Sequence, residues 1–377
     1  MEEIRLLLSG GGTGGHVYPA LAVVEEWKTT APAESGLPKL ADVLYVGVAG
    51  GLETSIVPRT GIRLRTVAGG ALRGMGPLRA SASTLALLRG CVSAVRIVRE
   101  FRPDVLLATG GYASAPAAIA AKVVGCPILI YLPDIYPGLA VKFLSRLADK
   151  TAVSFEEAAR YFPASKVVMT GYPVRPALFG RDRLSARQRL GLDPGRKTLL
   201  VLGGSRGAHS INAAVADGLE QLLTMAQVIH MTGENEYAAA MEAKSRLPAR
   251  LGCGYHVFAY LHDELVPALL SADLAVARAG AATMGEFAAA GLPSILVPYP
   301  HSGQHQEANA VFMQEQGAGR HLPDAELSGE VLARAVGELL KDEARLRQMS
   351  DNVSHLARRY AARDIARQLA ALAGGRQ

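Results

Sequence analysis

Two stretches of this chain occur twice, in the same order. Arg5 to His16 reads RLLLSGGGTGGH and Thr198 to His209 reads TLLVLGGSRGAH. Asp104 to Tyr131 reads DVLLATGGYASAPAAIAAKVVGCPILIY, and Asp273 to Tyr299 reads DLAVARAGAATMGEFAAAGLPSILVPY. Each is an apolar run of strand length, a turn of small residues and a helix-forming segment, the unit from which parallel sheets are built. A pair of such modules repeated half a chain later predicts an α/β protein with two Rossmann-like domains and a cleft between them. Length agrees, because 377 residues exceed the roughly 250–300 that one hydrophobic core supports. The prolines of Gly171-Tyr-Pro-Val-Arg-Pro176 break both helix and strand and mark the junction. The expected domains are therefore residues 1–170 and 171–352, with a last helix, 353–377, packing back on the first.

The glycine turns point to an anionic or polar ligand. A turn opening a helix offers free backbone N–H groups and the positive end of the helix dipole. In the second copy the helix is expected over Thr283 to Ala290, bounded by Gly291 and Pro293, with Glu286 three residues after Thr283. Thr-x-x-Glu there is either a capping box or part of a binding site. The equivalent helix after Gly110-Gly-Tyr-Ala-Ser114 carries no acidic residue, so the fold forms without such a pair, and this favours the binding role. Gly203-Gly-Ser-Arg-Gly207 is suited to cradle phosphate, with Ser205 donating and Arg206 adding charge, or serves only as a tight connection. Arg175, between two prolines, suits a diphosphate. His305, Gln306 and Asn309 follow the last strand of the repeat, where amide and imidazole groups can bind a small polar ligand.

Gly10-x-Gly12-x-x-Gly15 matches the dinucleotide fingerprint after the strand Ile4 to Leu8. A dehydrogenase needs an acidic residue closing the second strand to hold a ribose. That strand, Val43 to Val48, runs on without a carboxylate until Glu53, which argues against NAD or FAD. His16 ends the turn, ahead of a helix expected over Ala20 to Trp27 with Pro19 near its start. It is placed as a general base, as a donor to phosphate, or as a partner of its own turn.

The net charge of +6 is unevenly spread. Arginines 65, 73, 79, 89, 96 and 99 are interleaved with Leu72, Met75, Leu78, Leu85, Leu87 and Leu88, and a helix is expected over Leu85 to Glu100. That composition suits an anionic membrane surface, or an ordinary helix with solvated arginines. No nucleic-acid-binding motif is present and aromatic content is 6%, so no nucleic-acid partner is expected. The apolar region Val105 to Leu132 is interrupted by glycines, prolines and Lys122 and is a poor membrane span. Cys91, Cys126 and Cys253 lack metal-ligand spacing, and the reading is reduced, buried thiols in a cytoplasmic chain without a signal peptide.

Taken together, GGTGGHVYPALAV, TGGYASAP, GYPVR, GGSRGAHSIN and ARAGAATMGEFAAAGLPSILVPYP…HQEANA resemble the motifs of the MurG family, in order and over nearly the whole chain. These are glycosyltransferases of family 28 with the GT-B fold, which use UDP-N-acetylglucosamine to convert lipid I to lipid II in peptidoglycan synthesis. The resemblance implies that Glu286 binds the ribose of UDP and that Leu261 lies against the uracil. It implies that Ala282, Thr283, Ser205 and Arg175 surround the donor phosphates, and that His305 and Gln306 contact the N-acetylglucosamine. Thr13, Gly14 and Gly15 also belong to this donor site. His16 and Thr13 are the expected catalytic residues on the acceptor side, beside Gly110, Gly111, Tyr112 and Asp134. Neither a metal nor a cofactor is implied. The expected partners are UDP-N-acetylglucosamine, lipid I and the anionic inner leaflet, with the enzyme peripheral on the cytoplasmic face of the plasma membrane.

One departure concerns the acceptor. Where the family shows His-Glu-Gln-Asn after the strand Ile128 to Ile130, this chain has Tyr131-Leu-Pro-Asp134. Alternatives to keep are therefore a diacylglycerol glycosyltransferase, a UDP-N-acetylglucosamine 2-epimerase and a non-catalytic nucleotide-binding homologue.

Overall fold

The computed structural model describes residues 3–12, 14–30, 36–68, 77–180, 182–203, 207–302 and 304–375, with side chains of 77–87 outside the description. Two compact units divide the chain: residues 1–174 with 360–377, and residues 175–359.

The first unit is a seven-stranded parallel sheet. Its strands are β1 (Glu3–Ser9), β2 (Lys39–Val48), β3 (Arg63–Val67), β4 (Val105–Ala108), β5 (Ile128–Leu132), β6 (Lys150–Val153) and β7 (Val167–Met169), ordered β3-β2-β1-β4-β5-β6-β7. Central strands covered on both faces must be apolar throughout rather than alternating. Accordingly Leu6, Leu7 and Leu8 of β1 and every residue of β4 are buried. Helices Pro77–Phe101 and Ser114–Val123 supply apolar residues such as Ile97, Val98, Ala117 and Ala121 to one core cluster with Leu7, Leu106 and Ile130.

The second unit repeats the pattern with six parallel strands: β8 (Thr198–Leu202), β9 (Gln227–Met231), β10 (Tyr255–Phe258), β11 (Leu274–Ala277), β12 (Ser294–Leu296) and β13 (Gly319–His321), ordered β10-β9-β8-β11-β12-β13. β1 and β8 occupy the same place in their sheets, as do β4 and β11. The strand order reverses between them, so each sheet has its topological switch point there, with glycine turns at the carboxyl ends of both flanking strands. Ligands of open α/β sheets bind at that position.

Several boundaries differ from the sequence-based expectation. The first helix runs Gly14–Thr29, so His16 lies within its first turn and buried Pro19 inside the helix rather than at its start. Proline there removes one intrahelical bond, which tertiary burial outweighs. The helix expected over Leu85 to Glu100 spans Pro77–Phe101. The expected last helix divides in two: Glu343–His355 belongs to the second unit, and Ala361–Gly374 to the first. Arg363 of the latter pairs with Glu26 at 2.9 Å, against the helix Gly14–Thr29. Of the cysteines only Cys126 is buried; Cys91 is intermediate and Cys253 exposed.

Candidate active site

In the second unit the helix after β11 spans Ala281–Ala290, with Gly280 as its N-cap and no side chain capping it. Thr283 is therefore the third helical residue and Glu286 the sixth. A capping box needs its hydroxyl at the N-cap, so this pair cannot be one. The turn is anchored from behind instead. Buried Asn309 donates to the Ala279 carbonyl at 2.9 Å. Arg278 donates to the Val297 carbonyl at 3.2 Å, to the Pro298 carbonyl at 3.3 Å, to Ser210 Oγ at 2.7 Å and to the Asp324 carboxylate. Ser210 Oγ in turn donates to Asp324 Oδ1 at 2.6 Å. Burial would raise the Asp324 pKa, but bonds from Ser210 and Arg278 and the nearby positive charge hold it below the usual range. One guanidinium thus ties the ends of β11 and β12 to the helix His209–Asp217, a role for Arg278 that its short-range sequence context does not signal.

Glu286 is half-buried, and burial pushes its carboxyl up to about 7, against the lowering effect of the Arg175 guanidinium. Arg175 itself is exposed. Carboxyls raised in this way gather at functional sites, although structural ion-pair networks shift them too. Ala282 and Thr283 are partly exposed on the same first turn. Leu261, after β10, is buried, main chain and side chain alike, at 1% exposure. His305 and Gln306 open the helix His305–Glu315, where Gln306 Oε1 accepts the Tyr299 N–H at 2.9 Å. Ser205 and Arg206 lie outside the described residues.

The corresponding ends of β1 and β4 form the other candidate centre. His16 Nδ1 lies 3.2 Å from the Gly11 carbonyl oxygen. A carbonyl only accepts, so Nδ1 carries the proton in the neutral ring and Nε2 the lone pair. Gly110 packs beside that Nε2: a Cβ on Gly110 would sit 3.2 Å from it. Gly111, at φ 76°, approaches the Gly11 carbonyl so closely that any side chain would overlap it. Thr109 Oγ1 donates to the His16 carbonyl, joining the two turns. Gly14 and Gly15 are helical, Tyr112 is 43% exposed and Asp134 is half-buried. Thr13 lies outside the described residues. Tyr131 turns inward: its hydroxyl meets Ser154 Oγ at 2.6 Å and its ring packs edge-on to Tyr172. Burial raises its pKa, and Leu132 is buried too, leaving Asp134 as the polar group at this edge.

The sequence marks Glu53 only as the first carboxylate after β2 and gives it no role. Its carboxylate is fully buried and accepts the Val48 N–H at 2.9 Å and the Gly12 N–H at 3.4 Å. Tyr45 donates to the neighbouring Gly10 carbonyl at 2.8 Å. Among the described residues no cluster of three or more His, Cys, Asp or Glu side chains is placed to hold a metal.

The glycosyltransferase family 28 N-terminal domain matches residues 6–153 and the family's C-terminal domain residues 198–369. The chain is 38% identical to the UDP-N-acetylglucosamine--N-acetylmuramyl-(pentapeptide) pyrophosphoryl-undecaprenol N-acetylglucosamine transferase of Geobacter sulfurreducens, over 98% of each chain. Its fold superposes on the crystal structure of Acinetobacter baumannii MurG with a TM-score of 0.73, at 25% identity over 97% of this chain and 99% of that one. A UDP-N-acetylglucosamine 2-epimerase shares the fold at a TM-score of 0.68 but only 13% identity, over 100% of this chain and 98% of that one. Fold alone therefore leaves transferase and epimerase side by side, whereas the sequence matches follow both halves of one transferase family, and the chain belongs to glycosyltransferase family 28.

Proposed function

We propose that this chain transfers N-acetylglucosamine from UDP-N-acetylglucosamine to the C4 hydroxyl of lipid-linked N-acetylmuramyl-pentapeptide, making lipid II from lipid I for peptidoglycan. The observation that carries the donor half is Glu286, a titratable carboxyl beside a helix N-terminus that no side chain caps. Its oxygens accept the ribose hydroxyls. The N–H groups of Ala282 and Thr283, with Arg175 and Ser205, take the diphosphate, while His305 and Gln306 hold the sugar. As the acceptor oxygen bonds to the anomeric carbon, the bond to the phosphate oxygen breaks, its electron pair leaves with UDP, and the carbon inverts. His16 Nε2 takes the hydroxyl proton. Helix dipole and guanidinium stabilise the leaving diphosphate. Thr13, Gly110, Gly111, Tyr112 and Asp134 line the acceptor side.

The lipid acceptor and the exposed face of the helix Pro77–Phe101 support peripheral attachment to the inner leaflet. Leu88 and Val92 are 59% and 75% exposed beside Arg89, Arg96 and Arg99. No described helix is long and apolar enough to cross a membrane.

The test incubates the protein with UDP-N-acetylglucosamine and lipid I, diacylglycerol or no acceptor. UDP release that requires lipid I is the expected result. Release with diacylglycerol alone, epimer formed without acceptor, or binding without turnover would each replace this reading.

A further inference from the structure

Among the described residues of the first unit Glu53 is the one fully buried acid, and nothing in the reaction just described uses it. It heads the short helix Glu53–Ile56 after β2, and its carboxylate sits in a cage of glycines. A Cβ on Gly11, Gly47 or Gly51 would overlap that carboxyl group or its neighbouring methylene. Three positions on two separate segments are thus free of side chains where the acid packs.

The carboxylate takes the place an external anion would have. Its Oε2 accepts the Gly12 N–H at 3.4 Å, from the glycine turn that heads the helix Gly14–Thr29, while Oε1 is held by the Val48 N–H at 2.9 Å. Glycine turns at helix starts attract phosphate because their N–H groups lack acceptors. In this unit the chain supplies its own acid. Gly12 is the residue next to Gly11, whose carbonyl oxygen stands 3.2 Å from His16 Nδ1. The peptide linking Gly11 to Gly12 therefore has its N–H on Glu53 and its carbonyl on His16. A peptide is planar, so fixing one end fixes the direction of the other.

We propose that Glu53 is a positioning residue for His16: it fills the anion seat of the first glycine turn and, through the Gly11–Gly12 peptide, holds the imidazole with Nε2 as the proton-accepting nitrogen. This rests on His16 being the base. It also gives the Gly12 N–H an acceptor within the chain.

Glu53→Gln keeps the shape but turns one acceptor into a donor facing backbone N–H groups. Steady-state kinetics should show kcat lowered roughly 10- to 100-fold, with KM for UDP-N-acetylglucosamine and the affinity for UDP within about twofold of wild type. In a His16→Ala background, Glu53→Gln should lower kcat no further. Nitrogen NMR of labelled histidine should show His16 as the Nδ1–H tautomer in wild type and a mixture in Glu53→Gln. Wild-type kcat in Glu53→Gln, or an unchanged tautomer, would overturn the proposal while leaving His16 as base. Wild-type kcat in His16→Ala would instead remove the base itself. Should Glu53→Gln fail to fold, Glu53→Asp, which retracts the oxygens by one methylene, takes its place with the same expected split of kcat from KM; intact kcat there would equally overturn the proposal.

Discussion

Asp104 and Asp273 make the same two bonds in their separate sheets. Asp104 donates its N–H to the Arg5 carbonyl at 2.9 Å and accepts the Arg5 N–H on Oδ2 at 2.7 Å. Asp273 does so with Thr198, at 2.8 and 2.7 Å. Each aspartate thereby fixes the register at which the second strand of the module starts beside the first. Asp149 repeats the device with Ile128. The two copies differ in what else they hold, because Asp273 also pairs with Arg183 and with buried Arg187, both at 2.7 Å.

That difference predicts unequal stability effects. Asp273→Ala strands the buried Arg187 guanidinium without its carboxylate and should cost about 3–5 kcal/mol, lowering the melting temperature of the second unit by roughly 10 °C. Asp104→Ala, whose carboxylate has no such arginine, should cost about 1 kcal/mol. Differential scanning calorimetry of both variants measures this. Equal losses would show that the arginine pair adds nothing to the strand-start bond.

Glu286 makes UDP binding depend on pH. Its carboxyl, raised by burial to about 7, is ionised above that value and protonated below it. The charged form is the stronger acceptor for ribose hydroxyls, so affinity should weaken as pH falls through about 7. Folding stability runs the other way. The folded state binds this proton more tightly than the unfolded chain, so the group's contribution to stability is fully present below its ordinary value of 4.5 and is lost as pH rises to about 7. Titration calorimetry from pH 5.5 to 8.5 should show this slope in wild type. Glu286→Gln should leave only the ligand's own phosphate titration, and Glu286→Ala should weaken binding about 10- to 100-fold. A pH slope identical in Glu286→Gln and wild type would place the titrating group elsewhere.

Membrane attachment should be separable from chemistry. Leu88→Ser with Val92→Ser removes two exposed apolar side chains, each contributing about 1.5–3 kcal/mol if buried in lipid, and should lower binding to phosphatidylglycerol vesicles at least tenfold. Adding salt should weaken wild-type binding further, because the arginines act through screened charge. Turnover with a water-soluble acceptor should stay at the wild-type level. Undiminished vesicle co-sedimentation of the double variant would move the contact to another face.

What the sequence made legible was local. The strands and glycine turns were readable because parallel strands buried on both faces need unbroken apolar runs, and a tight strand-to-helix turn needs glycine. The repeat alone located β1, β4, β8 and β11. Thr283 and Glu286 were ambiguous because a cap and an inner turn share one spacing, and only the helix start at Ala281 separates them. The roles of Glu53 and Arg278 were not legible, since the glycine turn that Glu53 joins to β2 lies 41 residues away and the partners of Arg278 up to 68. Tyr131 looked like a lost polar site; the fold shows a side chain recruited to the interior, bonded to Ser154.

The helix Ala361–Gly374 has a further consequence, for the order in which the protein is made. It completes the unit to which residues 1–174 belong, and its Arg363 reaches Glu26 across 337 residues of chain. On the ribosome the second unit has every residue it needs while the first still lacks its closing helix. The half synthesised first is finished last, and until then the outer face of the helix Gly14–Thr29 is open to solvent and to chaperones.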